Sequence, residues 1–183
     1  MYNPDTQFNF LSNLDIDNIS NLCLVNPSFK NICYDPYFWK VYFKKHHLPL
    51  PDIMYTLPSL WIKSFNKTKQ TLTLLDYITL PSTDLYAVPK LEIDMFLVAP
   101  ELIINVIDDP AVFKFLNRYQ TLNPNEYEYN MYIEKSFDNY KISFDIQAYI
   151  EDIDGMFIYV DENTLFHLLY NLTMNDIPIF KLK

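Results

Sequence analysis

Two pairs, Asn26-Pro27 and Asp35-Pro36, set the grain of the first fifty residues. An asparagine or aspartate side chain accepts hydrogen bonds from the free amides at a helix N-terminus. Proline at the next position lacks only an amide that no helical carbonyl would have used. Each pair therefore predicts the start of a helix. Phe29, Ile32 and Cys33 follow the first pair at helical spacing, and Phe38 with Tyr42 and Trp39 with Phe43 follow the second. Lys44 and Lys45 then fall in the last turn, where they suit the negative end of the helix dipole. Upstream, Phe8, Leu11 and Leu14 share one helical face. Ile19, Leu22 and Cys23 share another, with Asp15 or Asp17 as the cap.

Four helices of two or three turns do not persist alone in water, and about 45 residues bury too little surface for comfortable independent stability. Such a segment needs a partner, either the rest of the chain or another protein.

The apolar and capping residues fall in a fixed frame: Pro4, Leu14, Val25, Phe29, Asp35 and Trp39, or P-x9-L-x10-V-x3-F-x5-D-x3-W. This frame resembles the F-box, over residues 3–47. The resemblance implies a small helical module that docks on a Skp1-type adaptor of a cullin-RING (SCF) ubiquitin ligase. It places Pro4, Phe8, Leu11, Leu14, Leu22, Val25, Phe29, Phe38 and Trp39 in the docking surface or its immediate support. The start departs from the family: Asn3-Pro4-Asp5-Thr6 lacks the usual leucine and glutamate, and the Pro4–Leu14 spacing is one residue short. A trimmed or shifted first helix is expected. A single glycine among many Asn, Tyr, Ile and Lys residues also resembles the composition of F-box-like proteins from large DNA viruses of eukaryotes. That resemblance implies a role in redirecting a host ligase.

After residue 47 the prolines change meaning. Leu48-Pro49-Leu50-Pro51 and Pro58 predict an extended linker over 48–58, since proline disfavours helix at the residue before it. Residues 59–183 are expected to form an α+β domain. It would open with one or two connecting helices (59–80) carrying Trp61, Phe65, Leu72, Leu75 and Ile78. Leu91–Val98 reads as a strand, Pro100–Ile107 as a helix, and Asp109-Pro110 as the start of another with Val112, Phe115, Leu116 and Tyr119 on one face. Alternation predicts strands at Tyr127–Ile133 and Ile142–Ile150 around a turn at Phe137–Asn139. Asp154-Gly155 reads as a hairpin turn leading into Met156–Val160, because glycine accepts a positive φ. A helix over Asn163–Leu172 and a last strand within Ile177–Leu182 complete an antiparallel meander. No repeat of the leucine-rich or WD type is present.

Charge separates the two halves. Residues 1–91 carry 8 basic and 7 acidic side chains, whereas residues 92–183 carry 6 and 16. An acidic domain repels phosphate, which argues against nucleic acid and anionic membranes. Its charge reads first as a solvated surface that keeps the domain soluble, with recruitment of a basic target protein as the sharper alternative. No basic leader with an apolar core and no apolar run near twenty residues is present, so neither export nor a membrane span is expected.

Catalytic and metal signatures are weak. Cys23 and Cys33 lack Cys-x-x-Cys spacing, and with three histidines they make no usual zinc pattern. They are expected as buried free thiols of a reducing compartment, the cytoplasm or nucleus. His46 and His47 are expected at a helix end, and His167 as a packed or surface residue. Asp152-Ile153-Asp154-Gly155 resembles part of a calcium loop, but Ile150 stands at its first ligand position. Asp145 has no companion nucleophile in the sequence. The expected function is a non-enzymatic adaptor without cofactor that presents a target protein through its acidic domain. A Skp1-binding competitor that presents nothing is the alternative, and an enzyme with a helical packing element is more distant.

Overall fold

The computed structural model describes residues 4–81, 88–148 and 151–182. The chain divides into two compact units, 1–69 and 70–183. We refer to them as the helical unit and the sheet unit.

The helical unit begins with α1 (Pro4–Ser12), α2 (Ile16–Val25), α3 (Pro27–Tyr34) and α4 (Pro36–Lys45). Asp15, Asn26 and Asp35 cap α2, α3 and α4, accepting from the amides of Asn18, Ser28 and Tyr37. Asp15 rather than Asp17 is therefore the cap of α2. The first helix has nine residues, and its C-terminal end is finished from a distance. Lys45 Nζ donates to the Ser12 carbonyl at 2.8 Å, and Tyr42 Oη donates to the Leu14 carbonyl at 2.9 Å. The first bond satisfies a carbonyl at the end of this short helix, and the second a carbonyl in the turn that leads to α2.

The core of this unit gathers Leu11, Ile19, Cys23, Cys33, Phe38, Trp39, Tyr42, Phe43, Trp61 and Phe65. Trp39 and Trp61 stack at 6.1 Å, and the Trp39 indole donates to the Cys33 carbonyl at 2.7 Å. Segment 48–57 contains no helix or strand, yet it is tied down. Leu48 and Tyr55 pack on the core, and Trp61 Nε1 donates to the Tyr55 carbonyl at 2.8 Å.

Pro58 is the first residue of a single long helix, α5 (Pro58–Thr79), rather than the end of a linker. The division between units falls inside α5, beyond the expected domain start at residue 59. The reason lies in which core each turn serves: Trp61 and Phe65 complete the aromatic cluster of the helical unit, whereas Leu74, Leu75 and Ile78 belong to the core of the sheet unit.

The cysteines correct an expectation. Cys23 and Cys33 are not free thiols but form a disulfide joining α2 to α3. Both side chains point inward from neighbouring helices, which brings their Cα atoms to 5.9 Å, within bridging range. The sequence showed their burial but not that the α2–α3 crossing would face them together. Disulfides persist in oxidising surroundings, so the expected reducing compartment loses the support that free thiols gave it.

The sheet unit is α+β. Strands β1 (Lys90–Asp94), β2 (Tyr127–Ser136), β3 (Asn139–Ala148), β4 (Glu151–Val160) and β5 (Phe180–Leu182) form one antiparallel sheet in the order β4-β3-β2-β1-β5. Leu91 and Ile93, then Met131 and Ile133, then Ile142, Phe144 and Ile146, alternate onto one face. Helices α6 (Glu101–Ile104), α7 (Pro110–Tyr119) and α8 (Glu162–Met174), with the last turns of α5, bury their apolar sides in the same core. Asp109 and Asp161 cap α7 and α8. Thr71 of α5 and Thr173 of α8 share a buried hydrogen bond of 3.1 Å, and Tyr77 Oη donates to the Leu182 carbonyl.

Three predicted elements differ. Leu91–Val98 is not one strand: β1 stops at Asp94, whose side chain accepts from the Phe96 amide at 2.9 Å and turns Met95–Leu97 into a 3₁₀ turn. The helix expected over Pro100–Ile107 has only four residues, because the chain turns at Asn105 and drives Ile107 into the core. Asp154-Gly155 is not a hairpin turn. Gly155 sits inside β4 opposite Asp145, without positive φ. A Cβ there would meet Asp145 Oδ1 at 3.2 Å and the Phe144 carbonyl at 3.3 Å, so close cross-strand approach, rather than turn geometry, accounts for the glycine. Ile150, the expected end of the second strand, lies outside the described residues.

Candidate docking surface

The frame residues of the helical unit separate into two groups. Leu11, Phe38 and Trp39 are completely buried. They hold the unit together and cannot touch a partner. Phe8 is half-buried against Phe38 and Tyr37, with ring centroids at 5.5 and 6.0 Å, and Leu14 lies against the same core. Pro4 opens α1.

Leu22, Val25 and Phe29 face outward to different degrees. Leu22 and Phe29 are partly buried and line a groove of about 470 Å³ with Phe10, Thr6, Gln7, Asn26 and Ser28. The Phe10 and Phe29 rings stack across it at 5.9 Å. Val25 ends α2 and is 76% exposed, and its neighbour Leu24 is 82% exposed. Apolar groups this open cost free energy in water. Phe10 and Leu24 were missed in the sequence. They fall off the buried stripe, and that position was itself the available signal: large apolar residues on the side of a short helix facing away from its core.

Electrostatics set the rest. Burial, helped by Asp15 and Asp17, pushes the Tyr42 hydroxyl up to about 12, so it remains the proton donor that its bond to Leu14 needs. His46 ends α4, and its ring lies against Tyr42 and Phe65 at 4.5 and 5.2 Å. Burial and the neighbouring Lys45, Lys69 and His47 lower its pKa from 6.5. His167 is half-buried on α8 beside Phe166.

In the sheet unit, the face turned away from the helices carries Lys90, Glu92 and Asp94 of β1, and Glu128, Asn130, Tyr132 and Glu134 of β2. Glu134 is bridged on both sides, by Lys90 at 3.6 Å and Lys141 at 3.5 Å. Asp154 points toward the helical side, held below the usual carboxylate range by the Tyr119 hydroxyl and then by the Gly155 amide and Arg118. Its bonds to Tyr119 and Arg118 tie β4 to α7. Among the described residues, no group of three His, Cys, Asp or Glu side chains is placed to hold a metal ion. No described helix is long and apolar enough to cross a membrane.

No family model, curated protein or solved structure matches this chain. The functional reading therefore rests on the residues and their placement.

Proposed function

We propose that this chain is an F-box-like adaptor that docks on a Skp1-type protein of a cullin-RING ligase and presents a protein target through its acidic sheet unit. What supports the reading is the sorting of the frame residues. The helical unit closes its core with Leu11, Phe38 and Trp39, then leaves Phe10, Leu24 and Val25 exposed and Leu22 and Phe29 along a groove. That is the distribution expected of a module completed by a partner. The adaptor contributes proximity and orientation, and the covalent chemistry belongs to the ligase. The acidic balance of the sheet unit favours a basic target.

The test is co-purification with Skp1, with and without proteasome inhibition. The adaptor reading predicts stoichiometric Skp1 and co-bound proteins that accumulate when the proteasome is blocked. Skp1 without such accumulation would replace it with a competitor that sequesters Skp1. Absence of Skp1 would remove both readings. Trp39 is the wrong position to vary, because its truncation opens a cavity in the core and orphans the Cys33 carbonyl.

A further inference from the structure

The two edges of the sheet are finished differently. β5 is three residues long with Lys181 at its centre, a short and charged edge of the kind that resists pairing with another chain. β4 closes the other side with ten residues. Among the described residues it pairs with β3 alone, so its outward amides and carbonyls meet no strand. Gly155 is an exception, because its amide donates to Asp154 Oδ1 at 2.9 Å. Beyond it the protective devices are missing. The register irregularity lies earlier, where Ile146 gives way to Gln147 on β3. Met156–Val160 holds no proline and no charge, and no lysine or arginine occurs between Lys141 and Lys181. Phe157, Ile158, Tyr159 and Val160 are residues that favour strands.

The side chains say what kind of strand fits. Phe157 and Tyr159 are 58% and 56% exposed, with their rings edge-on at 5.8 Å. They have no cross-strand neighbour on the edge side, and aromatic pairs with β-branched residues are among the contacts that stabilise a sheet. Charge then decides the occupant. Glu151 and Asp152 open β4, and Asp161 and Glu162 follow Val160. Asp161 accepts from the Thr164 amide and Glu162 from the Tyr140 hydroxyl, and neither bond supplies positive charge. A second copy pairing antiparallel on this edge would bring the acidic start of one strand to the acidic end of the other, which is unfavourable. An extended segment with basic residues at its ends meets no such conflict.

We infer that β4 recruits the target by strand addition: an extended segment, β-branched at its centre and basic at both ends, pairs with Met156–Val160 and continues the sheet. Main-chain hydrogen bonds give such pairing its affinity. The Phe157–Tyr159 pair and the flanking acids give it preference. The inference rests on the reading of the sheet unit as the target-holding part, and is tested without Skp1 so that the two stand or fall separately.

The experiment is an amide chemical-shift titration of the full chain, carried to millimolar peptide. The probe is an acetylated, amidated peptide of alternating valine and threonine with lysine at both ends. One control has the same residues with every backbone amide N-methylated, and a second carries glutamate in place of lysine. Saturable shifts centred on Met156–Val160, with slowed exchange of amides there, are expected with the probe and absent with either control. Phe157→Lys changes an exposed side chain and should weaken binding by about tenfold or more, because a charged side chain blunts an edge. Phe180→Lys, exposed on β5, should leave it within about twofold. Equal binding of the N-methylated peptide would assign the interaction to charge alone and overturn the inference. Undiminished binding by Phe157→Lys, equal loss in Phe180→Lys, or no saturation would do the same, whatever the outcome with Skp1. A concentration-dependent dimer of the chain by itself, dissolved by Phe157→Lys, would give the edge to a second copy instead.

Discussion

At the scale of single residues, the helical unit is held by a few groups whose chemistry follows from depth. His46, at the exposed C-terminal end of α4, gives the case that a titration can test. Its pKa is lowered in the folded chain by burial and by adjacent positive charge, so the folded state resists protonation more than the unfolded state does. Between the lowered value and the unfolded value of 6.5, the unfolded chain binds more protons, and stability rises with pH across that window. Its contribution is fully present above pH 6.5 and is lost as pH falls through the folded value. Urea unfolding followed by tryptophan fluorescence, which reports on Trp39 and Trp61, should therefore show a small loss of stability on acidification below pH 6.5. A His46→Gln variant should lack that part of the slope. An unchanged slope would show that His46 is free of its aromatic neighbours in solution.

At the scale of elements, the caps were legible because they act locally. Asn26-Pro27, Asp35-Pro36 and Asp109-Pro110 each begin a helix at the position the pair dictates. The alternation of Tyr129, Met131 and Ile133 against Ile142, Phe144 and Ile146 marked both long strands. What the sequence could not convey depended on groups brought together from elsewhere. Gly155 was misread because its reason is Asp145 on the next strand, and the cysteines because their reason is a helix crossing. The outward face of α1–α3 was only half legible, since Leu22 and Phe29 share periodicity with true core residues while Phe10 and Leu24 do not. Two predictions belong here. Phe137, at the tip of the β2–β3 hairpin, is 97% exposed and has φ of 50°, a conformation that costs a side-chain-bearing residue about 1 kcal/mol. Phe137→Gly should raise stability by about 0.5–1 kcal/mol in denaturant unfolding; a loss would mean that the ring makes contacts in solution. Reducing the Cys23–Cys33 bridge, which spans a separation of 10 residues, should lower stability by about 2–3 kcal/mol on loop-entropy grounds. The comparison is urea unfolding with and without reductant, set against a Cys23→Ser/Cys33→Ser variant that should not respond to reductant.

At the scale of the whole molecule, composition and surface divide the work between two units. The helical unit contributes nearly balanced charge and several exposed apolar side chains; the sheet unit contributes most of the negative charge. On the proposed reading, one unit engages the ligase and the other engages the target. The disulfide adds a condition: Skp1 binding must survive in reducing buffer if the adaptor works where disulfides are reduced. The most direct measurement is the affinity of purified chain for purified Skp1, with and without reductant, for wild type and for a Leu24→Asp/Val25→Asp variant. Both positions are exposed, so the variant should fold with an unchanged circular dichroism spectrum. The account predicts a 1:1 complex in either buffer and a loss of affinity of about a hundredfold in the variant, the magnitude expected for charging an apolar contact surface. No complex with wild type, or equal affinity in the folded variant, would contradict it.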